Sequence, residues 1–339
     1  MQLRNGRIRL VSALSAIALV SLTAACGGGG SSSGVGSGGT HLTVSYSETI
    51  ADELPLWIAV DGGYFQEQGL DVSLTEITGK DGVAALLSDQ VQFASIGGSE
   101  VLLAVANGAD LHYLATVSPI YAYELYAWPE HATAASLKGQ RVGITSSSGS
   151  LYFGTVFALR ELGLSRTDVA LTPLGSVSSV INSLLSGNIA AAAAHPPATT
   201  QFEQQGLKLV VDLAKKKIPA ALVGIAAKPS YTRDHPDITE KFMRALIQSI
   251  QREKTDKAYT QQVIRKYMKV NDQKALDETY SYYVDEVVPD IPIPDVTQFQ
   301  PTRADLATQN AKVAAVDLTK LVDASYVNKA AAALGGSPK

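Results

Sequence analysis

The sequence predicts an α/β protein with two similar lobes. Residues 83–98 are restated at residues 181–196 without a gap, and each copy reads as a helix, a polar turn, a short apolar strand and a loop. Strands and helices also alternate around both copies, which favours parallel sheets. Because ligands bind beyond the C-terminal ends of strands in open α/β sheets, each lobe is expected to offer loops to a shared cleft.

The first lobe is predicted to begin with an alternating, β-branched strand at residues 41–47. A helix beginning near Pro55 would place Leu56, Ala59 and Val60 on one face. The elements expected after it are a strand at 71–77, a helix at 82–88, a strand at 91–96, a helix at 99–107 and a strand at 112–117.

The second lobe is predicted to repeat this alternation. Residues 118–123 would cross into it, and the apolar run 220–227 would return to the first lobe. The elements expected between them are strands at 141–145, 168–174 and 189–194, helices at 151–163 and 177–186, and a hydroxyl-rich loop at 146–150.

The C-terminal part is predicted to be helical. Asp237 and Glu240 have the spacing of a capping box, and an apolar stripe follows them. Helices near 303–315 and 318–334 are expected to pack on the first lobe. Three tyrosines could form an aromatic binding box, although core packing is the favoured interpretation; they are Tyr280, Tyr282 and Tyr283.

The N-terminus is predicted to be an export signal. Three arginines precede the apolar residues 10–22, which are too few to span a membrane comfortably, and Ala24 and Ala25 supply small residues for cleavage. Residues 1–25 are therefore interpreted as a signal peptide. No later run is long and apolar enough to suggest a membrane helix.

Cys26, the single cysteine of the chain, stands where the sequence resembles the lipobox of bacterial lipoproteins, with Thr23 at the position that family usually gives to leucine. The resemblance implies lipid attachment to Cys26 and anchoring on the extracytoplasmic face of the cell membrane. The alternative is a cysteine after an ordinary secretory signal, but a lone exported cysteine has no disulfide partner. Residues 26–40 are then the lipidated cysteine and a flexible Gly/Ser tether.

Charge and motifs exclude several classes of function. Three of the 28 basic residues lie in the signal, so the rest of the chain carries 25 bases against 32 acids, a balance that disfavours nucleic acid as a partner. Residues 34–39 match a dinucleotide-binding pattern, but no strand precedes them and no helix follows. The sequence lacks zinc-protease, P-loop and serine-hydrolase motifs, and one cysteine cannot form a thiolate metal cluster.

Several blocks of this chain resemble the solute-binding proteins of ABC importers for nitrate, sulfonate and taurine, a family that also includes the thiamine-pyrimidine (NMT1/THI5-like) binding proteins. The blocks are Pro55-Leu-Trp57-Ile-Ala59, Gly63-Tyr-Phe65, Gly69-Leu-Asp-Val72, Ala85-Leu-Leu-Ser88, Gln92-Phe-Ala94, Leu137-Lys-Gly-Gln-Arg-Val-Gly-Ile144 and Leu184-Leu-Ser-Gly-Asn-Ile-Ala190. The resemblance covers most of residues 41–230. It implies a type II periplasmic-binding-protein fold, with two α/β lobes joined by two crossover segments. Lobe 1 would comprise 41–121 plus 222–339, and lobe 2 would comprise 122–221.

Candidate ligand contacts lie where predicted strands end. The loop 146–150 opens a helix, and the N–H groups of a helix start suit a carboxylate, sulfonate or nitrate oxygen. The alternative is that Ser148 or Ser150 only caps this helix, and Ser99 could likewise be a cap in lobe 1. The predicted ligand-binding residues are Tyr46, Ser47, Gly97, Gly98, Ser99, Tyr121, Ser146, Ser148, Gly149, Ser150 and His195.

The charge of the solute stays open in the sequence. Glu48, Asp52 and Glu53 are interpreted as solvent-exposed acids at a helix start, but one of them facing the cleft would favour a cationic or amine-bearing ligand. Lys80 argues for the opposite charge. His195 taken alone is more often a structural histidine than a ligand group.

The expected function is that of a lipid-anchored extracytoplasmic solute-binding protein. It would capture a small polar or anionic organic solute, similar to a sulfonate, nitrate or taurine, and deliver it to an ABC permease in the membrane. We expect a monomer with no cofactor, no metal and no catalytic residue. The alternatives are a binding protein for a pyrimidine or another thiamine-precursor-like aromatic solute, and an exported pyrimidine-processing enzyme on the same fold.

Overall fold

The computed structural model describes residues 39–336, which form two five-stranded sheets. The sheet of lobe 1 has the order β2-β1-β3-β10-β4, in which β1 runs parallel to β2 and β3 while β10 is antiparallel to its neighbours. Its strands are β1 Thr40–Tyr46, β2 Leu70–Glu76, β3 Phe93–Ile96, β4 His112–Ile120 and β10 Pro219–Ala227. The signal peptide, Cys26 and most of the tether lie outside the described residues.

The sheet of lobe 2 has the order β7-β6-β8-β5-β9. Strand β6 is parallel to β7 and β8, whereas β5 is antiparallel to both of its neighbours. Its strands are β5 Glu124–Ala127, β6 Arg141–Ile144, β7 Ala170–Pro173, β8 Ala191–Ala194 and β9 Lys208–Asp212. The predicted two-lobe α/β fold is therefore confirmed.

Helices cover the sheets. They are α1 Leu54–Asp61, α2 Tyr64–Glu67, α3 Gly79–Leu87, α4 Gly98–Ala106, α5 Ala134–Leu137, α6 Ser150–Glu161, α7 Val177–Leu185, α8 Ala198–Gln204, α9 Pro229–Asp234, α10 Pro236–Thr255, α11 Lys257–Met268, α12 Gln273–Ser281, α13 Gln300–Ala307, α14 Ala311–Ala314, α15 Leu318–Leu321 and α16 Ser325–Ala333. Short 3-10 turns occupy Ala51–Glu53, Pro129–His131 and Val296–Phe299, and a π-helix occupies Tyr282–Val287.

The repeated stretch folds as its pattern predicts. Helix α3 and strand β3 in lobe 1 correspond to helix α7 and strand β8 in lobe 2. The apolar stripes that suggested these helices are Val83, Leu86 and Leu87 in α3 and Ile181, Leu184 and Leu185 in α7. Val83, Leu86 and Leu184 are buried in the core, Ile181 and Leu185 are partly buried, and Leu87 is 43% exposed.

Two crossover segments join the lobes. Strand β4 continues to Ile120, three residues beyond its predicted end, so the first crossover is only Tyr121–Ala122–Tyr123. The second runs from 213 to 218 between β9 and β10. The Tyr121 N–H donates to the Ile218 carbonyl at 3.0 Å, and the Leu213 N–H donates to the Tyr123 carbonyl at 2.9 Å. The crossovers are thus hydrogen-bonded to each other at both ends.

Two predictions for the C-terminal part were wrong in detail. Helix α10 begins at Pro236 after an N-cap at His235 that makes no side-chain cap, so Asp237 lies in the first turn and forms no capping box. The helix expected at 318–334 is interrupted at Val322, which forms a β-bridge with Tyr113 of β4. The apolar stripe of α10 is buried as predicted.

No helix in residues 39–336 combines the length and the apolar character that crossing a membrane requires.

Candidate functional site

A cleft opens between the two lobes at the C-terminal ends of their parallel strands. From lobe 1 it is lined by residues that follow β1, β2 and β3, and from lobe 2 by residues that follow β6, β7 and β8. This is the position at which open α/β sheets bind ligands, because strand ends leave loops and helix N-termini facing the same space. The lining therefore comes from both halves of the repeat.

The cleft has two compartments that meet at Glu48, Ile50 and Tyr123. The acidic compartment encloses about 630 Å³ and is defined by Glu48, Asp52, Glu53 and Glu100. The aliphatic compartment encloses about 680 Å³ and is defined by Val177, Ile181, Ala193, Ala194, Pro197, Met268 and Val270. Volumes of this size suit small organic ligands, which typically occupy roughly 300–1,000 Å³.

The serine loop after β6 lies against lobe 1. The acidic compartment is lined by Ser146, Ser148, Gly149 and Ser150. The Ser150 hydroxyl donates to the Leu222 carbonyl on β10 at 3.3 Å, so this loop already bridges the lobes. The N-cap of α6 is Gly149, with no side-chain cap, and its N–H donates to the Ser146 hydroxyl at 3.2 Å. The alternative in which Ser148 or Ser150 is the cap was therefore wrong.

Glu100 occupies the place that the sequence had suggested for a ligand anion. This residue of α4 accepts a hydrogen bond from the Ser99 hydroxyl at 2.6 Å, and its carboxyl lies beside the Ser150 N–H at the start of α6. Burial raises the pKa of the Glu100 carboxyl, and these hydrogen bonds partly oppose that rise. The positive end of α6 therefore faces an acid of the protein itself.

The interpretation of Asp52 and Glu53 as exposed acids was wrong. Both are 1% exposed, because they form a 3-10 turn directly before the buried residues of α1. Asp52 accepts hydrogen bonds from the Ser118 hydroxyl at 2.5 Å and the Tyr283 hydroxyl at 2.8 Å. Asp52 is thus a structural acid between β4 and the π-helix, and its segment carries Glu53 into the cleft.

Glu53 and Glu48 hold protons more tightly than ordinary glutamates. Burial raises the pKa of Glu53 to about 8, and the charges of Asp52 and Glu48 add to the rise. The nearby Ser95 side chain and Ser47 backbone act as hydrogen-bond donors and partly oppose this rise in pKa. Burial also raises the pKa of Glu48 to about 7, with a contribution from the charge of Glu100. Removal of these carboxylates from water is the common cause.

Basic groups are scarce around this cleft. In the part of the chain that the structure describes, Lys80 is the only lysine or arginine lining either compartment, and it is exposed. Among residues 39–336 there is no group of three histidine, cysteine or acidic side chains placed to hold a metal ion. The acidic compartment therefore carries an excess of carboxyl groups.

His195 and Tyr123 form a wall between the compartments and the core. His195 lines the aliphatic compartment after β8, and its ring centroid lies 5.8 Å from that of Tyr123. Tyr123 fits against α6 because residue 154 is glycine, and a Cβ there would overlap the Tyr123 ring. An isolated glycine within a helix pattern was the sequence signal for this close approach.

Four predicted site residues do not line either compartment. Tyr46 packs edge-on against Trp57, and the Tyr121 hydroxyl is buried 2.5 Å from the Thr302 hydroxyl. Gly98 and Ser99 are buried in the first turn of α4, and the N-cap there is Gly97 rather than Ser99. The remaining predicted residues, Ser47 and Gly97, line the acidic compartment.

The tyrosines near 280 pack into the structure and do not form a binding box. Tyr283 is fully buried and its hydroxyl donates a hydrogen bond to Asp52, and the Tyr280 hydroxyl donates to the Lys254 carbonyl at 3.0 Å. Tyr282 packs edge-on against Tyr283. None of the three lines either compartment of the cleft in the described chain.

A family model described as NMT1/THI5 like matches residues 50–255, which is more than half of the chain. The chain belongs to this family. The matched region contains the repeat, both crossovers, the serine loop, and Asp52, Glu53 and Glu100 of the cleft.

One relative and one structural neighbour of this chain are named for different small molecules. The riboflavin-binding protein RibY of Chloroflexus aurantiacus is 26% identical over 62% of this chain and 60% of its own length. The alkanesulfonate-binding protein SsuA of Xanthomonas axonopodis pv. citri, solved with MOPS bound, has a TM-score of 0.66 at 18% identity, over 86% of this chain and 97% of that one. At that identity the structural likeness shows the fold alone.

The same fold also supports an enzyme. The desulfurization enzyme DszB has a TM-score of 0.66 at 16% identity, over 86% of this chain and 99% of its own. The family fold is thus that of periplasmic solute-binding proteins, and chemistry on it depends on the residues of the individual cleft.

Three of the four cleft acids, Glu48, Asp52 and Glu53, were named from the sequence with an exposed position favoured for them, and Glu100 was not named. The signal that could have found them is their context, since Asp52 and Glu53 stand between Ile50-Ala51 and the apolar run that begins at Leu54. Acids that are flanked on both sides by apolar residues are expected to be buried together with those residues. Glu100 carried no such signal, because its position depends on contact with α6 of the other lobe.

Replacing Gly98 with alanine is expected to lower the free energy of unfolding by about 1–3 kcal/mol, because overpacking a filled site forces its neighbours apart. A Cβ on Gly98 would lie 2.5 Å from the Ala221 Cβ and 2.8 Å from the Phe299 ring. Urea denaturation measures the loss. The double variant Gly98→Ala/Ala221→Gly removes one overlap and should recover part of it, whereas a Gly98→Ala protein as stable as the parent would contradict this packing role.

Proposed function

We propose that this chain is a lipid-anchored, extracytoplasmic solute-binding protein of an ABC importer. The observation that carries the proposal is the cleft, which is lined from both lobes by residues that follow parallel strands, the lobes being joined along the chain by two hydrogen-bonded crossovers. Membership of the NMT1/THI5-like family and the riboflavin- and alkanesulfonate-binding relatives support a small organic solute. The N-terminal signal and Cys26 support export and anchoring.

Capture would work by closure of the lobes. In an open form, a solute meets the loop of Ser146 and Ser148 on one side and the segment of Ser47 and Glu48 on the other. A solute that contacts both sides stabilises the closed form, since it gains its second set of contacts only there. The crossovers would act as the hinge, and the permease would recognise the closed form as the loaded one.

We propose that the solute leaves unchanged. The sequence motifs for nucleophilic or metal-dependent catalysis are absent, and the raised pKa values of Glu48 and Glu53 have a structural cause in burial. Recovering the solute after incubation with the protein distinguishes a binding protein from the alternative, a pyrimidine-processing enzyme. An unaltered compound supports a binding protein, and a converted one supports an enzyme.

Mass spectrometry of the chain purified from the membranes of its native host tests the proposal directly. We expect a small molecule in stoichiometric amount that is released when the protein is denatured, and an N-terminal Cys26 carrying the mass of a lipid. Recovery of a soluble chain with an unmodified cysteine would remove the anchor from the proposal. Recovery of no solute, together with no change in scattering radius when host metabolites are added, would remove the binding function.

Replacing Ser148 with phenylalanine is expected to weaken binding of the recovered solute at least tenfold, because this exposed side chain lines the acidic compartment. Its stability should change by no more than about 0.5 kcal/mol, as is usual at the surface. Isothermal titration measures the affinity. Ser147→Phe is the matched control, since Ser147 is the exposed neighbour that does not line the compartment. If both variants weaken solute binding equally, the effect does not depend on the residue that lines the compartment, and Ser148 is not a ligand contact.

A further inference from the structure

Glu53 is a buried acid that faces a cavity with most of its hydrogen-bonding capacity unused. Its side chain is 1% exposed and it lines the acidic compartment. Ser95 and the Ser47 backbone approach the carboxyl and lower its pKa, but within residues 39–336 neither carboxyl oxygen has a partner at good hydrogen-bonding geometry. A buried polar group without a partner costs stability, and natural proteins seldom keep one without a use. A ligand in the cavity would supply the hydrogen bonds that these neighbours leave unmade.

The surroundings of Glu53 make a second negative charge in this cavity unfavourable. Asp52 is held as an acceptor by two hydroxyls, and Glu48 and Glu100 line the same compartment. Lys80 lies on the exposed side of it and forms none of the ion pairs found in the described chain. An anionic head group would be repelled by each of these carboxyls that ionises, whereas a cation is attracted to the ionised forms and favours them.

Resting on the proposed solute-binding function, we propose that the solute carries a protonated nitrogen, an ammonium or amidinium group, that binds between Glu53, Glu48 and Glu100. Its N–H groups would supply the hydrogen bonds that the Glu53 carboxyl lacks, and charge-assisted bonds of this kind are the stronger ones. The solute class is thus an organic cation.

The aliphatic compartment indicates that the rest of the solute is apolar. It adjoins the acidic compartment at Glu48 and Tyr123, and its wall includes Ile181, Met268 and Val270. An apolar body of the solute would bury itself there while the nitrogen remains among the carboxyls. A bare metal ion would use neither the apolar wall nor this geometry, in line with the lack of a metal-binding cluster among the described residues.

Binding of a cation is expected to release protons near neutral pH. The carboxyls of Glu53 and Glu48 are protonated in much of the empty protein at pH 7, and a bound positive charge would ionise them. Affinity should therefore rise with pH between about 6 and 8, by up to tenfold per unit for each proton released. The titratable and charged groups that face Glu53 are Asp52 and Glu48 on its own segment, Tyr46 on β1, Tyr113 on β4, Glu100 on α4 and Lys80 on α3.

Three probes with one phenyl body and different head groups test the proposal on the purified full chain. They are benzylamine, which is cationic, benzyl alcohol, which is neutral, and phenylmethanesulfonate, which is anionic. Titration calorimetry at pH 7.5 should show benzylamine binding at least tenfold more tightly than either of the others. Repeating it at pH 6 should weaken benzylamine binding, and buffers of different ionisation enthalpy should reveal proton release.

Two glutamine variants assign the effect to Glu53. Glu53→Gln is expected to weaken benzylamine binding at least tenfold and to reduce the pH dependence to the part that Glu48 contributes. Glu253→Gln is the matched control, because Glu253 is equally buried and equally without a hydrogen bond in residues 39–336, yet it lies outside both compartments. Its affinity should stay within twofold of the parent.

The proposal is overturned if the sulfonate binds most tightly, if the alcohol binds as well as the amine, if no probe binds, or if both variants lose affinity equally. These results are distinct from failure of the proposed function. A co-purified anion released on denaturation would keep the solute-binding function and overturn the amine, whereas an amine recovered in a chemically altered form would overturn the binding function itself.

Discussion

Replacing Trp57 with alanine is expected to lower the free energy of unfolding by about 3–5 kcal/mol, the range found for large aromatic side chains removed from a core. Trp57 is fully buried in α1, stacked on Tyr267 of α11 at 4.7 Å and edge-on to Tyr46 of β1 at 6.2 Å. Its loss leaves a cavity where three elements meet. Urea denaturation, followed by circular dichroism, measures the change.

The control for this prediction is Trp57→Phe. The indole N–H of Trp57 has no hydrogen-bond partner among the described residues, so phenylalanine removes an unsatisfied donor and keeps part of the ring stacking. The loss should be clearly smaller than for alanine. If both variants lower the free energy of unfolding by the same amount, packing of the aromatic ring is not the source of the stability.

Replacing Glu253 with methionine is expected to stabilise the protein strongly above neutral pH. Glu253 is fully buried in α10 and both of its carboxyl oxygens lack hydrogen bonds within residues 39–336. Burial raises its pKa to about 8; the charge of Lys254 opposes the rise, and that of Asp52 adds to it. Methionine fills a similar space without a group that must lose a proton.

The sign of the pH dependence follows from the raised pKa. Between pH 4.5 and about 8 the unfolded chain has released the Glu253 proton while the folded protein retains it, so rising pH favours unfolding. The advantage of the Glu253→Met variant should therefore grow by about 3 kcal/mol between pH 5 and pH 8. Glu130→Met, at an exposed position, should show no such growth. A Glu253→Met advantage that is the same at both pH values would contradict a buried, protonated Glu253.

Elements whose apolar period matches their burial could be predicted from the sequence. Helix α7 was expected at 177–186 and is found at Val177–Leu185, because its stripe of Val180 and Leu184 is the face that packs on the sheet. The C-terminal helices were expected to be longer than they are. Asn310 caps a new helical turn at α14, and Val322 pairs with β4, so tertiary contacts override the helical pattern there.

The candidate site was predictable where it follows from topology. Ser47, Gly97 and the serine loop reach the cleft because they stand at strand ends, which period and turn residues reveal. Its charge was not predictable in the same way. Whether Glu53 is exposed depends on how its turn packs beneath α1, and the position of Glu100 depends on the opposite lobe, so neither follows from local sequence.

The construction of the cleft has a consequence for how such proteins diverge. Its lining comes from the connections after the strands, from the helices that follow them and from residues 268–275, whereas the sheets, α1 and α10 supply most of the buried framework. A lineage could therefore exchange one cargo for another through a few substitutions at strand ends without unfolding the scaffold. One relative named for riboflavin and two structural neighbours named for alkanesulfonate and for desulfurization fit a fold whose cleft can be altered while its framework is kept.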